Sequence, residues 1–285
     1  MRIGIGLPNP VPNTDGATLV EWARRSEGAG FSTLATIDRI VYPSYDSLIS
    51  LAAAAAVTDR IELMTNILIA PARHEVLLAK EAASVDRVSG GRLTLGLAAG
   101  GRRDDFEAVD ENFESRGTRF EQQLEVMQKV WRGEQLSDTG QASVPLPGRE
   151  VPILIGGSSD KAAERTAEFG IGYTSGGGGP DMMEPVAEKV KKAWSEAGRE
   201  GKPRLVALSY FALGPNAKER SSEYLKDYYG WLGQWADQIA ESAPTTPDEL
   251  KALATSFEDL GVDELILDPT ISELDQIGRL ADALL

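Results

Sequence analysis

Short apolar runs alternate with helical patterns along the whole chain, and this alternation constrains the fold more than any other feature. The run Ile61 to Ile67 is too short for a helix, the apolar spacing after Glu75 is helical, and Leu93 to Leu97 is again a short run. Ser89-Gly90-Gly91 ends the intervening helix, because glycine adopts the left-handed C-terminal conformation without steric cost. This stretch therefore predicts a strand, a helix and a parallel strand.

The same alternation predicts eight strands in the 285 residues. They are Arg2 to Leu7, Thr33 to Ile37, Ile61 to Ile67, Leu93 to Leu97, Pro152 to Ile155, Gly172 to Thr174, Arg204 to Leu213 and Glu264 to Leu267. Helical patterns separate them, including one long helix that begins at Ala217 and ends before Pro244. Because no shift in composition divides the chain, we predict a single domain over residues 1–285, a (β/α)8 barrel. A doubly wound open sheet is the alternative fold.

The composition excludes several kinds of site. The chain has no Cys, so it has no disulfide, thiolate nucleophile or cysteine metal site, and one His leaves no metal cluster beyond scattered carboxylates. The formal net charge of −15 argues against nonspecific binding to nucleic acid. The sequence lacks the apolar stretch of a signal peptide or of a membrane helix. We therefore expect a soluble cytoplasmic protein with neither a metal nor a nucleic-acid partner.

In a barrel, functional residues lie at the carboxyl ends of the strands. The predicted strand ends carry Pro8 and Asn9, Asp38 and Arg39, Thr65 and Asn66, Ala98 to Gly101, Gly156 to Ser159, Thr174 to Gly176, and Asp268. We take these positions as the candidate site residues.

The segment Gly156-Gly157-Ser158-Ser159 combines a strand end, two glycines, two hydroxyls and the start of a helix. Free N–H groups and the helix dipole favour an anion such as a phosphate at such a place. The alternative is an ordinary tight turn with Ser159 as the N-cap. Thr174-Ser175-Gly176 repeats the same chemistry at the end of the next strand, so together the two segments predict a phosphate site.

His74 is the only imidazole of the chain, and it lies at the start of a predicted helix just beyond the third strand. A titratable group there could donate a proton during catalysis. The alternative is that His74 caps or packs the turn. The sequence leaves both interpretations open.

Residues 73–97, RHEVLLAKEAASVDRVSGGRLTLGL, resemble the signature region of the bacterial luciferase-like oxidoreductases. The similarity extends over nearly the whole chain. The resemblance implies a (β/α)8 barrel that uses reduced FMN or the deazaflavin coenzyme F420. It also implies a cofactor phosphate over the loops after strands five and six, where PILIGGSS (152–159) and GYTSGG (172–177) match.

The resemblance assigns further roles near the cofactor ring. Thr65-Asn66-Ile67 matches a backbone bulge behind the ring, which implies a cis peptide bond between Asn66 and Ile67. Asp38 matches an acidic residue on the substrate side, and Arg39 follows it where some relatives have His. Pairing of Asp38 with Arg39 or another basic side chain is the alternative to a catalytic role.

The segment after the fourth strand departs from the luciferase pattern. Bacterial luciferase has an arginine there that helps to hold the phosphate, whereas this chain has Ala98-Ala99 followed by Gly100. Gly100 is thus a candidate for backbone contact with the cofactor, and Arg102 or Arg103 would have to supply the charge. This departure keeps F420 open as an alternative to FMN.

The resemblance implies an enzyme acting on a small organic substrate. With reduced FMN, supplied by a separate flavin reductase, the reaction would be a monooxygenation. With F420 it would be a hydride transfer, and a flavin-binding protein without turnover is the second alternative. Luciferase-like proteins commonly dimerise, and the helix predicted from Ser44 to Thr58, with its run Ala52 to Ala56, predicts a homodimer.

Overall fold

The computed structural model describes residues 1–136, 138, 140–146 and 148–285. The described residues form eight β-strands, numbered in chain order. Strands β1 to β8 are Arg2–Gly6, Thr33–Thr36, Glu62–Ile69, Leu93–Ala98, Ile153–Gly156, Gly172–Gly177, Arg204–Phe211 and Glu264–Pro269. Each predicted strand is present, with bounds that differ by a few residues at most.

The α-helices of the same described ranges follow or separate these strands. Helices α1 to α11 are Gly16–Ala29, Ser47–Ala55, Glu75–Val88, Arg103–Glu107, Arg116–Trp131, Asp160–Phe169, Pro180–Glu196, Ala217–Tyr228, Gln234–Ser242, Pro247–Asp259 and Asp275–Leu284. Two short 3-10 helices lie at Ala70–Ala72 and Gly230–Leu232.

The strands close into a parallel barrel in the order of the chain, β1 to β8, and β8 pairs with β1. The closing ladder runs from the pair Arg2 and Glu264 to the pair Ile5 and Leu267. Closure confirms the predicted (β/α)8 barrel and rules out the open sheet. The carboxyl ends of all strands therefore meet at one mouth.

Side chains in the barrel interior are arranged in layers, because alternate residues of each strand point inward. The lowest layer contains the Glu264 carboxylate, which accepts hydrogen bonds from Ser32 Oγ (2.5 Å) and Thr33 Oγ1 (2.6 Å). Above it lies an apolar layer of Ala35, Met64, Leu154, Val206 and Ile266. Asp268, two residues beyond Ile266 on β8, belongs by the same alternation to the layer at the mouth.

Two glycines of β1 make room for these layers. A Cβ atom at Gly4 would overlap the Ile266 side chain, and a Cβ atom at Gly6 would overlap the Asp268 carboxyl group. The inward positions of β1 therefore have to be glycine while β8 carries these side chains.

Strand β3 contains an irregularity near its carboxyl end. Its register against β4 shifts between Thr65 and Leu68, and the peptide bond between Asn66 and Ile67 is cis, as the resemblance implied. The strand bends at the mouth of the barrel, and Ile67 faces the end of β5, where a Cβ atom at Gly156 would lie 3.2 Å from Ile67 Cγ2.

The segment after β7 differs from the sequence-based prediction. The predicted long helix is interrupted: α8 ends at Tyr228, a 3-10 helix follows at Gly230–Leu232, and Gly233, with φ 58° and ψ −129°, precedes α9. Tyr229 directly follows α8, and its hydroxyl lies 2.5 Å from that of Tyr210 on β7. The segment after β4 also contains a short helix, α4.

Among the described residues, no helix combines the length and the apolar character needed to cross a membrane.

Candidate active site

A cleft of about 670 Å³ opens at the carboxyl ends of β4, β5 and β6. Its lining includes candidate site residues that were predicted from the sequence at the ends of these three strands. They are Gly100, Gly156, Gly157, Ser158, Thr174, Ser175 and Gly176. The structure thus brings the two predicted phosphate segments and the glycine after β4 together around one space.

The segment after β5 leads directly into α6. Ser159 caps this helix by accepting a hydrogen bond from Ala162 N (3.2 Å), so the N-cap alternative is correct for this residue. Gly157 has φ 121°, a conformation that favours glycine, and Ser158 next to it is exposed. Capping by Ser159 leaves Gly157 and Ser158 exposed in the lining of the cleft, and a phosphate site there stays a prediction.

The carboxyl end of β6, which extends to Gly177, offers an open approach to the backbone. Gly176 is exposed, and a Cβ atom built on it would have no neighbour within 4 Å. An anion can therefore contact this backbone without steric hindrance.

Three basic side chains line the outer part of the cleft, and sequence reasoning had not identified them. They are Arg116 on α5 and Lys161 and Arg165 on α6. One carboxylate, Glu114, accompanies them. The lining thus has more basic than acidic side chains in a chain whose formal net charge is −15, and two of the cations, Lys161 and Arg165, also pair with Glu164 and Glu121.

These cations are held to different degrees. Arg116 Nε donates to Gly100 O (3.0 Å), which fixes the segment after β4. Arg165 is largely buried and donates to Gly117 O (3.2 Å). The Lys161 side chain is 68% exposed and pairs with Glu164 at 2.6 Å. Lys161 is thus the cation most able to turn toward a bound anion.

The two arginines that were expected to replace the luciferase arginine point elsewhere. Arg102 pairs with Asp104 and also with Asp105 at 3.3 Å, and Arg103 pairs with Glu114. Neither lines the cleft. The charge near the cleft therefore comes from α5 and α6.

The β3 bulge places an amide group at the barrel mouth. Asn66 is buried, and its Oδ1 accepts a hydrogen bond from Thr174 Oγ1 at 2.5 Å. Its Nδ2 has no partner within the part of the chain that the structure describes. Thr65 instead donates to Gly96 O (2.9 Å) and is buried in the barrel wall. Of these two predicted cofactor residues, only Asn66 retains a free polar group, and Ile67 beside it lines the cleft.

The Asp38 side chain is buried at the start of the loop after β2. Its carboxylate accepts hydrogen bonds from Ile69 N and Arg73 Nη2, both at 3.0 Å. Burial raises the pKa of Asp38, and the Arg73 guanidinium opposes that shift. The basic partner is thus Arg73, while Arg39 lies over the rings of Tyr42 and Tyr228. These contacts tie the β2 and β3 loops together, and a catalytic role for Asp38 stays a prediction.

His74 lies at the N-cap of α3 and is exposed. Its Nδ1 accepts a weak hydrogen bond from Val76 N at 3.3 Å. It does not line the cleft. This geometry corresponds to the capping alternative, and the catalytic role stays a prediction.

The other side of the mouth is aromatic. Tyr210 on β7 is in register with Asp268 on β8, and Tyr224, Tyr228 and Tyr229 reach the same region from α8 and its end. The sequence YLKDYY (224–229) is the only signal that could have indicated this wall. No group of three or more His, Cys, Asp or Glu side chains among the described residues could hold a metal ion.

Comparisons with known proteins agree with this architecture. The family model of luciferase-like monooxygenases matches residues 1–252. An uncharacterized protein of Mycobacterium tuberculosis is 28% identical over 215 residues, which cover 65% of this chain and 74% of that protein. The oxygenase component of a flavin-dependent trigonelline monooxygenase from Acinetobacter baylyi is 23% identical over 223 residues, 72% of this chain and 62% of that protein.

Among solved structures, an F420-dependent secondary alcohol dehydrogenase in complex with an F420-acetone adduct superposes with a TM-score of 0.80. It covers all of this chain and 98% of its own, at 17% sequence identity. At that identity the similarity establishes the shared fold alone.

Proposed function

The chain belongs to the luciferase-like monooxygenase family, and from that premise we propose that it is an F420-dependent oxidoreductase acting on a small organic substrate. The observation that carries the choice of cofactor is the set of basic side chains around the outer cleft, Arg116, Lys161 and Arg165. An FMN molecule ends at its phosphate, whereas F420 continues past its phosphate into a tail that carries carboxylates.

The described residues fit such a cofactor. Gly157 and Gly176 leave the backbone accessible to a phosphate at the start of α6 and beside it. Ile67 and Ala98 provide an apolar floor for a planar ring, and Asn66, whose Nδ2 is buried and unpaired among the described residues, precedes Ile67 in the bulge. When bound, the reduced deazaflavin would supply a hydride, whereas reduced FMN would supply an oxygen-activating ring.

The chain's own residues bind, orient and shield. The backbone at the start of α6, the exposed Ser158 and the open backbone at Gly176 of β6 would hold the phosphate, because a helix N-terminus favours an anion. The bulge at Asn66 and Ile67 fixes the position of the ring by contact. The tyrosines after β7 exclude water from the opposite side of the mouth.

An FMN-dependent monooxygenase is the second candidate. The phosphate segments alone would suffice for FMN, and the chain is similar over 72% of its length to a flavin-dependent monooxygenase component. This candidate would require a separate flavin reductase as a partner. A protein that binds cofactor without turnover would bind in the same cleft and fail to oxidise or reduce any substrate.

The test is a fluorescence titration of the apoprotein with F420 and with FMN. We expect F420 to bind more tightly, and Lys161→Glu to weaken F420 about 5-fold, the size expected for an exposed charge reversed beside an anionic tail. FMN affinity should change little. Lys192→Glu is the matched control, because Lys192 is 75% exposed and lies outside the cleft. Tighter binding of FMN would favour the monooxygenase.

We also propose a homodimer formed through α2 and α3. Ile49 is 70% exposed on α2, and Leu77 and Val88 on α3 are 57% and 61% exposed. These exposed apolar side chains lie on two helices that contact each other. Light scattering at micromolar concentration should give twice the mass of the chain, and Ile49→Lys should give the mass of one chain.

A further inference from the structure

The cleft extends outward from the strand ends into a gap between two helices. Ala162 on α6 and Met183 on α7 line this part of the cleft, together with Tyr173 on β6. An ion pair joins the two helices, because Lys189 Nζ on α7 lies 2.8 Å from Asp160 Oδ1 at the start of α6. The first turns of both helices therefore border one space.

Tyr173 points outward from the barrel wall toward this gap. Thr174, the next residue on β6, reaches the barrel mouth, where its hydroxyl donates to Asn66. Because successive side chains of a strand point to opposite faces, Tyr173 faces the helices, and it packs in the same core cluster as Met183 and Val186. Tyr173 is only 3% exposed and lines the cleft, so the little surface that it exposes faces this space.

The Tyr173 hydroxyl has no hydrogen-bond partner among the residues that the structure describes. By contrast, the Tyr42 hydroxyl donates to Asp227 and the Tyr45 hydroxyl donates to Thr14 O. Burial alone raises the pKa of Tyr173 to about 12, and no hydrogen bond or charged neighbour contributes to that shift. The phenol therefore stays protonated at neutral pH and has a proton to donate. A buried polar group without a partner is rare in native proteins, and a ligand in the adjoining space would supply the partner.

The start of α7 is open to the same space. Gly179 is the N-cap of this helix and lines the cleft, no side chain caps the helix, and a Cβ atom at Gly179 would meet no neighbour within 4 Å. Because α7 is 17 residues long, its dipole adds to that of α6. The carboxylates in the two first turns are Asp160, which is paired with Lys189, and Asp181, and neither lines the cleft.

We propose, on the basis of the proposed function, that the cofactor phosphate binds between the first turns of α6 and α7 and that the Tyr173 hydroxyl donates a hydrogen bond to it. Phosphate oxygens are acceptors, and the phenol is a donor that has no other partner, so each satisfies the other. Helix N-termini on two sides favour a negative charge at this position. Tyr173 thus adds a side-chain donor to the backbone positions at Gly157 and Gly176.

The position of Tyr173 separates recognition of the phosphate from recognition of the ring. The apolar floor of Ile67 and Ala98 lies at the barrel mouth, whereas Tyr173 lies on the outer side of the barrel wall. The phenol therefore contacts the cofactor where it extends beyond the strand ends. Loss of the hydroxyl should weaken ligands that carry the phosphate and leave the ring by itself unaffected.

The experiment compares each cofactor with the same ring compound lacking the phosphate. The pairs are FMN with riboflavin, and F420 with its deazaflavin without phosphate and tail. Affinities are measured by fluorescence titration at pH 7 for the wild type, Tyr173→Phe and Tyr45→Phe, with circular dichroism as the folding control. Tyr45→Phe is the matched control, because it also removes one phenol hydroxyl and Tyr45 does not line the cleft.

We expect Tyr173→Phe to fold as the wild type does, because the ring that packs in the core is kept. Its affinity for FMN and for F420 should fall at least about 10-fold, the loss expected for one hydrogen bond to a charged group. Its affinity for the two phosphate-free compounds should stay unchanged, so the ratio within each pair should fall by the same factor. Tyr45→Phe should keep both ratios.

Unchanged ratios in a folded Tyr173→Phe protein would overturn the inference and leave the proposed function standing. Equal weakening of FMN and riboflavin would show that Tyr173 only shapes the cleft, and it would overturn the inference as well. If neither FMN nor F420 binds to the wild type, the proposed function and this inference fail together.

Discussion

Replacing Asp268 by Asn should change how the stability of the protein depends on pH. Asp268 is buried and unpaired, and burial raises its pKa well above the usual range. In the unfolded chain an Asp releases its proton near pH 4, whereas in the folded protein Asp268 keeps it. Above that pH, ionisation of this Asp in the unfolded chain stabilises the unfolded state relative to the fold. The contribution of Asp268 to stability is therefore fully present only below the unfolded pKa. The stability that it contributes is lost as pH rises toward the folded pKa.

The magnitude follows from proton linkage. Each pH unit over which Asp268 is protonated only in the folded state costs the wild type about 1.4 kcal/mol. Asn carries no titratable proton, so the variant does not lose this stability. Between pH 5 and pH 7 the free energy of unfolding of Asp268→Asn should therefore rise relative to the wild type by up to about 2.7 kcal/mol.

Urea unfolding followed by circular dichroism at pH 5, 6 and 7 measures this difference. Subtracting the free energy of unfolding of the wild type from that of the variant at each pH removes the contributions of distant titrating groups, because effects at separate sites add. The pH at which the difference stops growing gives the pKa of Asp268 in the folded protein. A difference that is the same at pH 5 and pH 7 would refute the assignment of an unpaired, protonated carboxyl group.

Three further substitutions test other contacts. Glu264→Gln should lower the free energy of unfolding by about 3 kcal/mol at pH 7 in the same urea assay, because it removes the buried carboxylate that pairs with Arg204. Thr174→Val removes the donor to Asn66 Oδ1 and should cost about 1–2 kcal/mol of stability in urea, together with a loss of cofactor affinity by titration. Burial acts to raise the pKa of Glu27, but hydrogen bonds from the backbone N–H groups of residues 59–61 lower it overall. The stabilising effect of the Glu27 carboxylate is therefore present above the unfolded pKa. Glu27→Gln should therefore reduce the thermal midpoint at pH 7, and the difference from the wild type should shrink as pH falls below 4.

The barrel and its glycine-rich segments could be predicted from the sequence, because their signals are local. A strand of four to eight residues, a helical spacing and a glycine at a turn are each visible within one short stretch. Gly156 to Ser158 and Thr174 to Gly176 lie at the carboxyl ends of strands that are neighbours in the chain, so closure of the barrel alone brings them together. The bulge at Asn66 came from family resemblance, since its sequence shows only a polar residue at a strand end.

The remaining features depend on distant contacts that periodicity does not encode. The partner of Asp38 is Arg73, 35 positions away, and the adjacent Arg39 turns to a tyrosine wall. Lys161 and Arg165 occupy a helix pattern that also describes a solvated surface, and only the packing of α6 beside the cleft gives them a role. The unpaired state of Asp268 is a property of everything around it, which no pattern within β8 reveals.

Cofactor affinity of the Gly176→Asp variant tests most directly whether the cofactor phosphate binds between the ends of β5 and β6. Gly176 is better suited than Gly157, whose φ of 121° would strain any side chain, because a Cβ atom at Gly176 meets no neighbour within 4 Å. Gly278→Asp on α11 is the matched control, equally open and far from the cleft.

We predict that Gly176→Asp folds normally by circular dichroism and loses at least about 100-fold in affinity for F420 and for FMN, because a carboxylate then stands beside the phosphate in a partly desolvated cleft. Gly278→Asp should bind as the wild type does. Wild-type affinity in a correctly folded Gly176→Asp protein would contradict the account and place the phosphate elsewhere.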